Sequence, residues 1–353
     1  MRLAARIAGY AVLLAAIAVV PLLLGGFRTT EVTYVGTFAI ALIGLNILTG
    51  YTGQISLGHG AFMALGAYTT AILWMDHGVD PLLTIPLGGL VAGIVGFLFG
   101  FPALRLTGVY LAVATFGLAI VVPALARRFE GFTGGQEGIL LDLPTSPVSA
   151  LTPEDWLYYL TWGIAAVLFA AALLFLRGKT GRALRAIREN ELAATSSGIS
   201  LARYKTLAFG VSAFYAGVAG SLFALNFSFI VNPGSFPIDR SIQLLVGLVI
   251  GGVGSLVGVI GGAAFVQYVP VEAGRLPEKA IDLLQWIGFP VGDLDPTTPG
   301  VPSVVYGLIL LLVIALAPQG IAGLIRRVGA ATKRVYSRPK QGEAPVTPSR
   351  RSE

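Results

Sequence analysis

The chain has 353 residues, 55% hydrophobic and only 12% charged, with a mean hydropathy of +0.79. That balance leaves too little polar surface for a soluble protein of this length. Cysteine is absent, which excludes disulfides and thiolate metal sites, and two histidines, His59 and His77, are too few for an imidazole metal centre. The net charge of +6 does not point to nucleic acid, because the basic residues gather at the ends of apolar runs, as membrane topology requires.

A spanning helix needs about 20 apolar residues to cross about 30 Å of hydrocarbon. The first apolar run, 7–26, follows Arg2 and Arg6 and is either a span or a signal peptide. It is longer than the roughly 7–15 residues of a signal core and lacks a clear small-x-small cleavage site, so it is read as an uncleaved span. Further spans are expected at 33–49, 54–75, 82–101, 108–126, 156–176, 204–226 and 301–325. No Asp, Glu, Lys or Arg occurs from Val32 to Met75, or from Thr206 to Ile238. The fold expected is therefore an all-α integral membrane protein with about eight transmembrane helices.

Orientation follows from the basic residues. With the N-terminus, Arg105, the loop 177–205 and the tail inside, only Arg28, Arg127, Arg128, Arg240, Arg275 and Lys279 of the 24 Lys and Arg residues lie outside. The stretch 241–271 must then enter and leave on the outer side. The glycines of Gly251-Gly252-Val253-Gly254 break it into a helical hairpin, either re-entrant or two short tilted spans. Two outer segments are expected, 127–155 and 270–300. The first is Gly/Pro-rich and contains Thr133-Gly134-Gly135; in the second, Pro277 is expected to start an interfacial helix carrying Ile281, Leu284, Trp286 and Ile287. The transmembrane domain is thus 1–327, and 328–353 is a disordered basic tail.

Three segments can carry function. The first runs from Gly50-Tyr51-Thr52-Gly53-Gln54-Ile55-Ser56-Leu57-Gly58-His59-Gly60-Ala61-Phe62 on to Tyr68. Its glycines weaken the helix and allow close backbone approach, while Gln54, Ser56 and His59 are costly in lipid and must face protein or a water-filled path. A broken helix here, including Gly60, aims backbone groups at a polar solute; the alternative is tight packing with His59 as an interior histidine. The second, Gly251-Gly252-Val253-Gly254-Ser255, resembles the first in outline, which suggests an internal duplication, and adds Gly252, Gly254 and Ser255 to the expected path.

The third segment is the cytoplasmic loop. Gly178-Lys179-Thr180 mimics the end of a phosphate-binding loop, but Leu173 stands where that motif needs glycine, and a membrane helix rather than a strand precedes it. Residues 181–197 read as one short helix stopped by Gly198, with Leu184, Ile187 and Ala194 on one face. It is either a topology signal or a coupling helix that docks in an ATPase groove, and its defined end favours coupling.

Taken together, these residues resemble the LivM-type permease subunit of branched-chain amino-acid ABC importers, over nearly the whole chain to about Arg327. The resemblance rests on the 50–62 run, on 105–138 with Thr133-Gly134-Gly135, on Ala186-Ile187-Arg188-Glu189-Asn190-Glu191 through Tyr204-Lys205, and on 251–255. It implies a bacterial inner-membrane complex, multi-pass with both termini cytoplasmic. Its partners would be a second homologous permease, two ATP-binding cassette subunits and an extracytoplasmic solute-binding protein. It maps ATPase coupling onto Arg188, Glu189, Asn190, Glu191 and Gly198, and it implies no cofactor. One departure stands out: Leu192 precedes Ala193-Ala194 where the general pattern of such permeases has glutamate. The rival reading is a secondary transporter or channel that works without an ATPase, but charge-free spans offer such a carrier few groups for ion coupling. A membrane enzyme would need paired carboxylates, a metal cluster or an activated nucleophile, and none is legible.

Overall fold

The computed structural model describes residues 26–106, 108–142, 144–149, 151–227, 229–286 and 301–316, with single positions at 21 and 323. The run expected as the first span lies almost wholly outside the described residues, as does the tail at 328–353. Helix α1 (Gly26–Leu45) ends in a π-helical turn, Asn46–Gly50, and α2 (His59–Met75) follows an irregular stretch. Next come α3 (Pro81–Ala103), α4 (Val109–Arg128), the short α5 (Glu130–Thr133) and strand β1 (Ile139–Leu141). Helix α6 (Pro153–Arg177) leads into α7 (Lys179–Glu189), α8 (Glu191–Ser196) and the long α9 (Leu201–Phe227). Strand β2 (Phe229–Val231), α10 (Ile238–Gly251), α11 (Gly258–Trp286) and α12 (Val301–Leu316) complete the order.

Among the described residues, five helices are long and apolar enough to cross a membrane: Arg28–Gly50, Pro81–Ala103, Val109–Arg128, Pro153–Arg177 and Leu201–Asn226. Their burial divides them. The first and last are 89% and 83% buried over their most apolar windows, whereas α3, α4 and α6 are 33%, 22% and 28% buried. A helix apolar all round and buried is a bundle core. The outward faces of the other three carry Leu83, Leu98, Val109, Val113, Val167 and Leu174, apolar surface that suits hydrocarbon rather than water.

With no hydrophobic drive between helices in lipid, small residues must let backbones touch. A Cβ at Gly66 would lie 2.0 Å from the Gly217 carbonyl oxygen, and one at Gly220 would lie 1.9 Å from that of Met63. Helices α2 and α9 therefore meet backbone to backbone. Polar ties add register: Asn226 Nδ2 donates to Thr37 Oγ1 at 3.3 Å and Thr161 Oγ1 at 3.1 Å, joining α9 to α1 and α6.

The all-α architecture stands, with one short antiparallel pairing of β1 and β2, Ile139 opposite Val231, after the left-handed turns at Gly134, Gly135 and Gly138. Three expectations are corrected. The span expected at 54–75 begins as a helix only at His59. The single helix expected at 181–197 is two, because Asn190 leaves the helical conformation and caps the second. Pro277 starts no helix; it lies within α11, which runs unbroken from Gly258 to Trp286.

Candidate functional site

The two glycine-rich breaks meet. Asn46 is fully buried in the π-helical turn, and its Oδ1 accepts from the Gly254 N–H at 2.8 Å. A Cβ on Gly50 would sit 2.0 Å from that same Oδ1 and 2.8 Å from Gly254 N, so only glycine fits. Gly252 and Gly254, at φ 107° and 83°, turn the chain from α10 into α11. Ser255 Oγ then accepts from the Gly258 N–H at 3.2 Å, satisfying a donor in the first turn of α11.

The irregular stretch from Gly53 to Gly58 is held by side chains instead of a helical ladder. Thr49 Oγ1 donates to the Gln54 carbonyl at 3.0 Å, Thr115 Oγ1 accepts from Leu57 N at 2.9 Å, and Ser56 Oγ accepts from Gly58 N at 3.3 Å. Gln54, Ser56 and His59 are all buried. The His59 ring packs against α1, with Nε2 3.4 Å from where a Gly44 Cβ would lie. Gly60 N donates to Ser241 Oγ at 2.9 Å, tying the first turn of α2 to the first turn of α10.

Against this junction lies the helix pair α7 and α8. Leu184, Ile187 and Ala194 are buried as one apolar face. The Arg188 guanidinium donates through Nη1 to the Gly50 carbonyl oxygen, and Nη1 lies 3.3 Å from where a Gly254 Cβ would be. One side chain of the loop thus reaches both breaks. Asn190 Oδ1 accepts from Ala193 N at 3.0 Å, and Glu191 pairs with Lys205 at 2.7 Å, the lysine side chain only 5% exposed. Gly198 is left-handed at φ 80°, and Ile199 N donates back to the Ala194 carbonyl at 3.0 Å, closing α8. Glu189 is exposed.

The structure therefore groups Gly50, Gly254 and Arg188, while Gln54, Ser56 and His59 lie along the stretch leading inward. Sequence reasoning did not single out Asn46, Thr115 or Ser241, and it marked Leu192 only as a departure from the family pattern. Asn46 and Thr115 were legible as polar residues within apolar spans; Leu192, 82% exposed on α8, breaks the apolar-inside pattern. Among the described residues, no group of His, Cys, Asp and Glu is arranged to hold a metal ion.

Over 250 residues the chain is 38% identical to the high-affinity branched-chain amino acid transport system permease protein LivM of Salmonella typhimurium, covering 63% of this chain. It is 37% identical to LivM of Escherichia coli over the same length, and it spans 58% of the length of each of these relatives. It is also 25% identical over 291 residues to the permease protein LivH of the same transport system in Salmonella typhimurium, covering 74% of this chain and 92% of that one. No solved structure matches. Residues 29–315 match the family model described as branched-chain amino acid transport system / permease component, and the chain belongs to that family.

Proposed function

We propose that this chain is the permease subunit of an ABC importer in a bacterial inner membrane. It forms half of the translocation path for branched-chain amino acids or a related small polar solute, and both termini are cytoplasmic. A second homologous permease completes the path, two ATP-binding cassette subunits supply the energy, and an extracytoplasmic binding protein delivers the solute to the outer segment at 127–155. The observation that carries this reading is Arg188, which joins the cytoplasmic helix pair to both broken helices. The likeness to both LivM and LivH supports a paired permease.

The mechanism has few parts, none covalent. Leu192 is the apolar knob that α8 presents to an ATPase groove. Movement of the ATPases displaces α8 together with the start of α9, because Glu191 pairs with Lys205 there, while Asn190 caps α8 directly after α7. Arg188 carries that movement to Gly50, and the breaks at Gly50 and Gly254 yield where continuous helices resist. Solute passes between outward-open and inward-open states. Gln54, Ser56, His59, Gly60, Gly252, Gly254 and Ser255 belong to the broken segments that move.

The test is reconstitution in liposomes. The chain alone gives neither ATP hydrolysis nor concentrative leucine uptake; with the second permease, ATPases and binding protein, uptake is ATP-driven. Uptake by the chain alone at the rate of the full complex would establish the ATPase-free carrier instead.

A further inference from the structure

Arg240, expected on the outer side from its charge, is half-buried, with its guanidinium packed on two rings of the core. Its guanidinium carbon stands 5.4 Å from the Phe38 ring centroid and 5.5 Å from that of Phe223, rings themselves 6.3 Å apart. Those three separations put both rings toward one side of the guanidinium. Phe38 is near the centre of the span Arg28–Gly50. A charge at that depth is retained only for a purpose that offsets its cost.

Its partners do not neutralise it. Nη1 donates to Gln243 Oε1 at 3.4 Å, and Nε is buried without a hydrogen-bond partner. Among the described residues the ion pairs are Lys205–Glu191 and Arg275–Glu272, so Arg240 has none. Asp239, next along the chain, is exposed.

Two helix N-termini converge on the same place. Helix α2 begins at His59, whose ring approaches Gly44; a Gly44 Cβ would also lie 2.6 Å from Cβ of Tyr215, which is midway along α9. The α2 N-terminus is therefore at mid-depth. Helix α10 starts beside it, because Gly60 N donates to Ser241 Oγ, and a Gly60 Cβ would lie 3.7 Å from that of Arg240. Each N-terminus carries roughly half a positive charge, so a guanidinium beside two of them concentrates positive charge, which Asp239 in the first turn of α10 offsets only from an exposed side chain and without an ion pair among the described residues.

We infer that Arg240, with the first turns of α2 and α10, is the subsite that holds the carboxylate of the transported solute, which is an α-amino carboxylate. The planar fork of the guanidinium suits a bidentate carboxylate, and its rings give the apolar side of the subsite. The solute neutralises a charge that the protein leaves unpaired. This inference rests on the permease reading above and goes on to name the group recognised.

The assembled importer, purified without its external binding protein in lipid nanodiscs, is examined by saturation-transfer NMR with L-leucine. Leucine binds the wild type, isobutyrate displaces it, and L-leucinamide does not bind. Arg240→Gln weakens leucine binding at least tenfold and abolishes the preference over the amide; Arg240→Lys, keeping charge without the fork, falls between. Wild-type complex that binds no leucine, or that accepts leucinamide as well as leucine, overturns the inference. So does an assembled Arg240→Gln complex with the wild-type preference. If Arg240→Gln fails to assemble, the isobutyrate and leucinamide arms on wild type decide together with Arg240→Lys. The permease reading fails separately, through absence of ATP-driven uptake by the complete wild-type system.

Discussion

Replacing Gly50 with alanine tests the junction of the two breaks. The added Cβ would lie 2.0 Å from Asn46 Oδ1 and 2.8 Å from Gly254 N, neither of which is the far end of a long flexible side chain. Asn46 must swing away, and the Gly254 N–H then loses its 2.8 Å bond to a fully buried acceptor. Leaving such a donor unsatisfied costs about 1–3 kcal/mol, and overpacking a tight site costs about 1–3 kcal/mol more. Gly50→Ala should therefore lose about 2–6 kcal/mol, read as a lowered thermal midpoint of the purified protein. In an Asn46→Ala background the alanine no longer meets Oδ1, so the double variant should be milder than the sum by about 1–3 kcal/mol. Additive losses, or a Gly50→Ala protein as stable as wild type, would refute the reasoning.

The other predictions concern the cytoplasmic pair and the orientation. Gly198→Val places a β-branched residue at φ 80°, costing about 1–3 kcal/mol of backbone strain; because nothing lies within 4 Å of its Cβ, the effect is conformational and appears as lost ATPase co-purification at normal membrane abundance. Glu191→Ala strands the Lys205 ammonium, which is 5% exposed, and should lower stability by about 1–2 kcal/mol, a figure moderated by the 43% exposure of the glutamate; unchanged melting would remove the pair from the account. A cysteine at Ser196 should be shielded from an impermeant thiol reagent applied outside, whereas one at Thr145 should react, and the reverse pattern would invert the topology.

Much of the fold was legible because hydrocarbon imposes length and composition on a span: 82–101 and 156–176 lie within α3 and α6, and 108–126 starts one residue before α4. The glycine clusters at 50–60 and 251–254 announced breaks, and both are breaks. Their meeting was not legible, since it depends on one hydrogen bond between residues 208 apart in sequence. Arg188 was singled out as a coupling residue on its position, but its reach to Gly50 needs the tertiary fold. The split at Asn190 was hidden by a continuous helical pattern, although asparagine followed three residues later by an alanine donor is a capping arrangement. The packing of Arg240 on Phe38 and Phe223 was not legible, because a charge count assigns residues to sides of the membrane and has no category for one half-buried against core rings.

The central claim is that Arg188 transmits ATPase movement to the broken helices. The direct measurement is leucine taken up per ATP hydrolysed by the reconstituted complex carrying Arg188→Ala, beside wild type in the same liposomes. The account predicts that this ratio falls at least tenfold in complexes of normal subunit composition, with Arg188→Lys recovering part of it. A ratio equal to wild type in Arg188→Ala would contradict it.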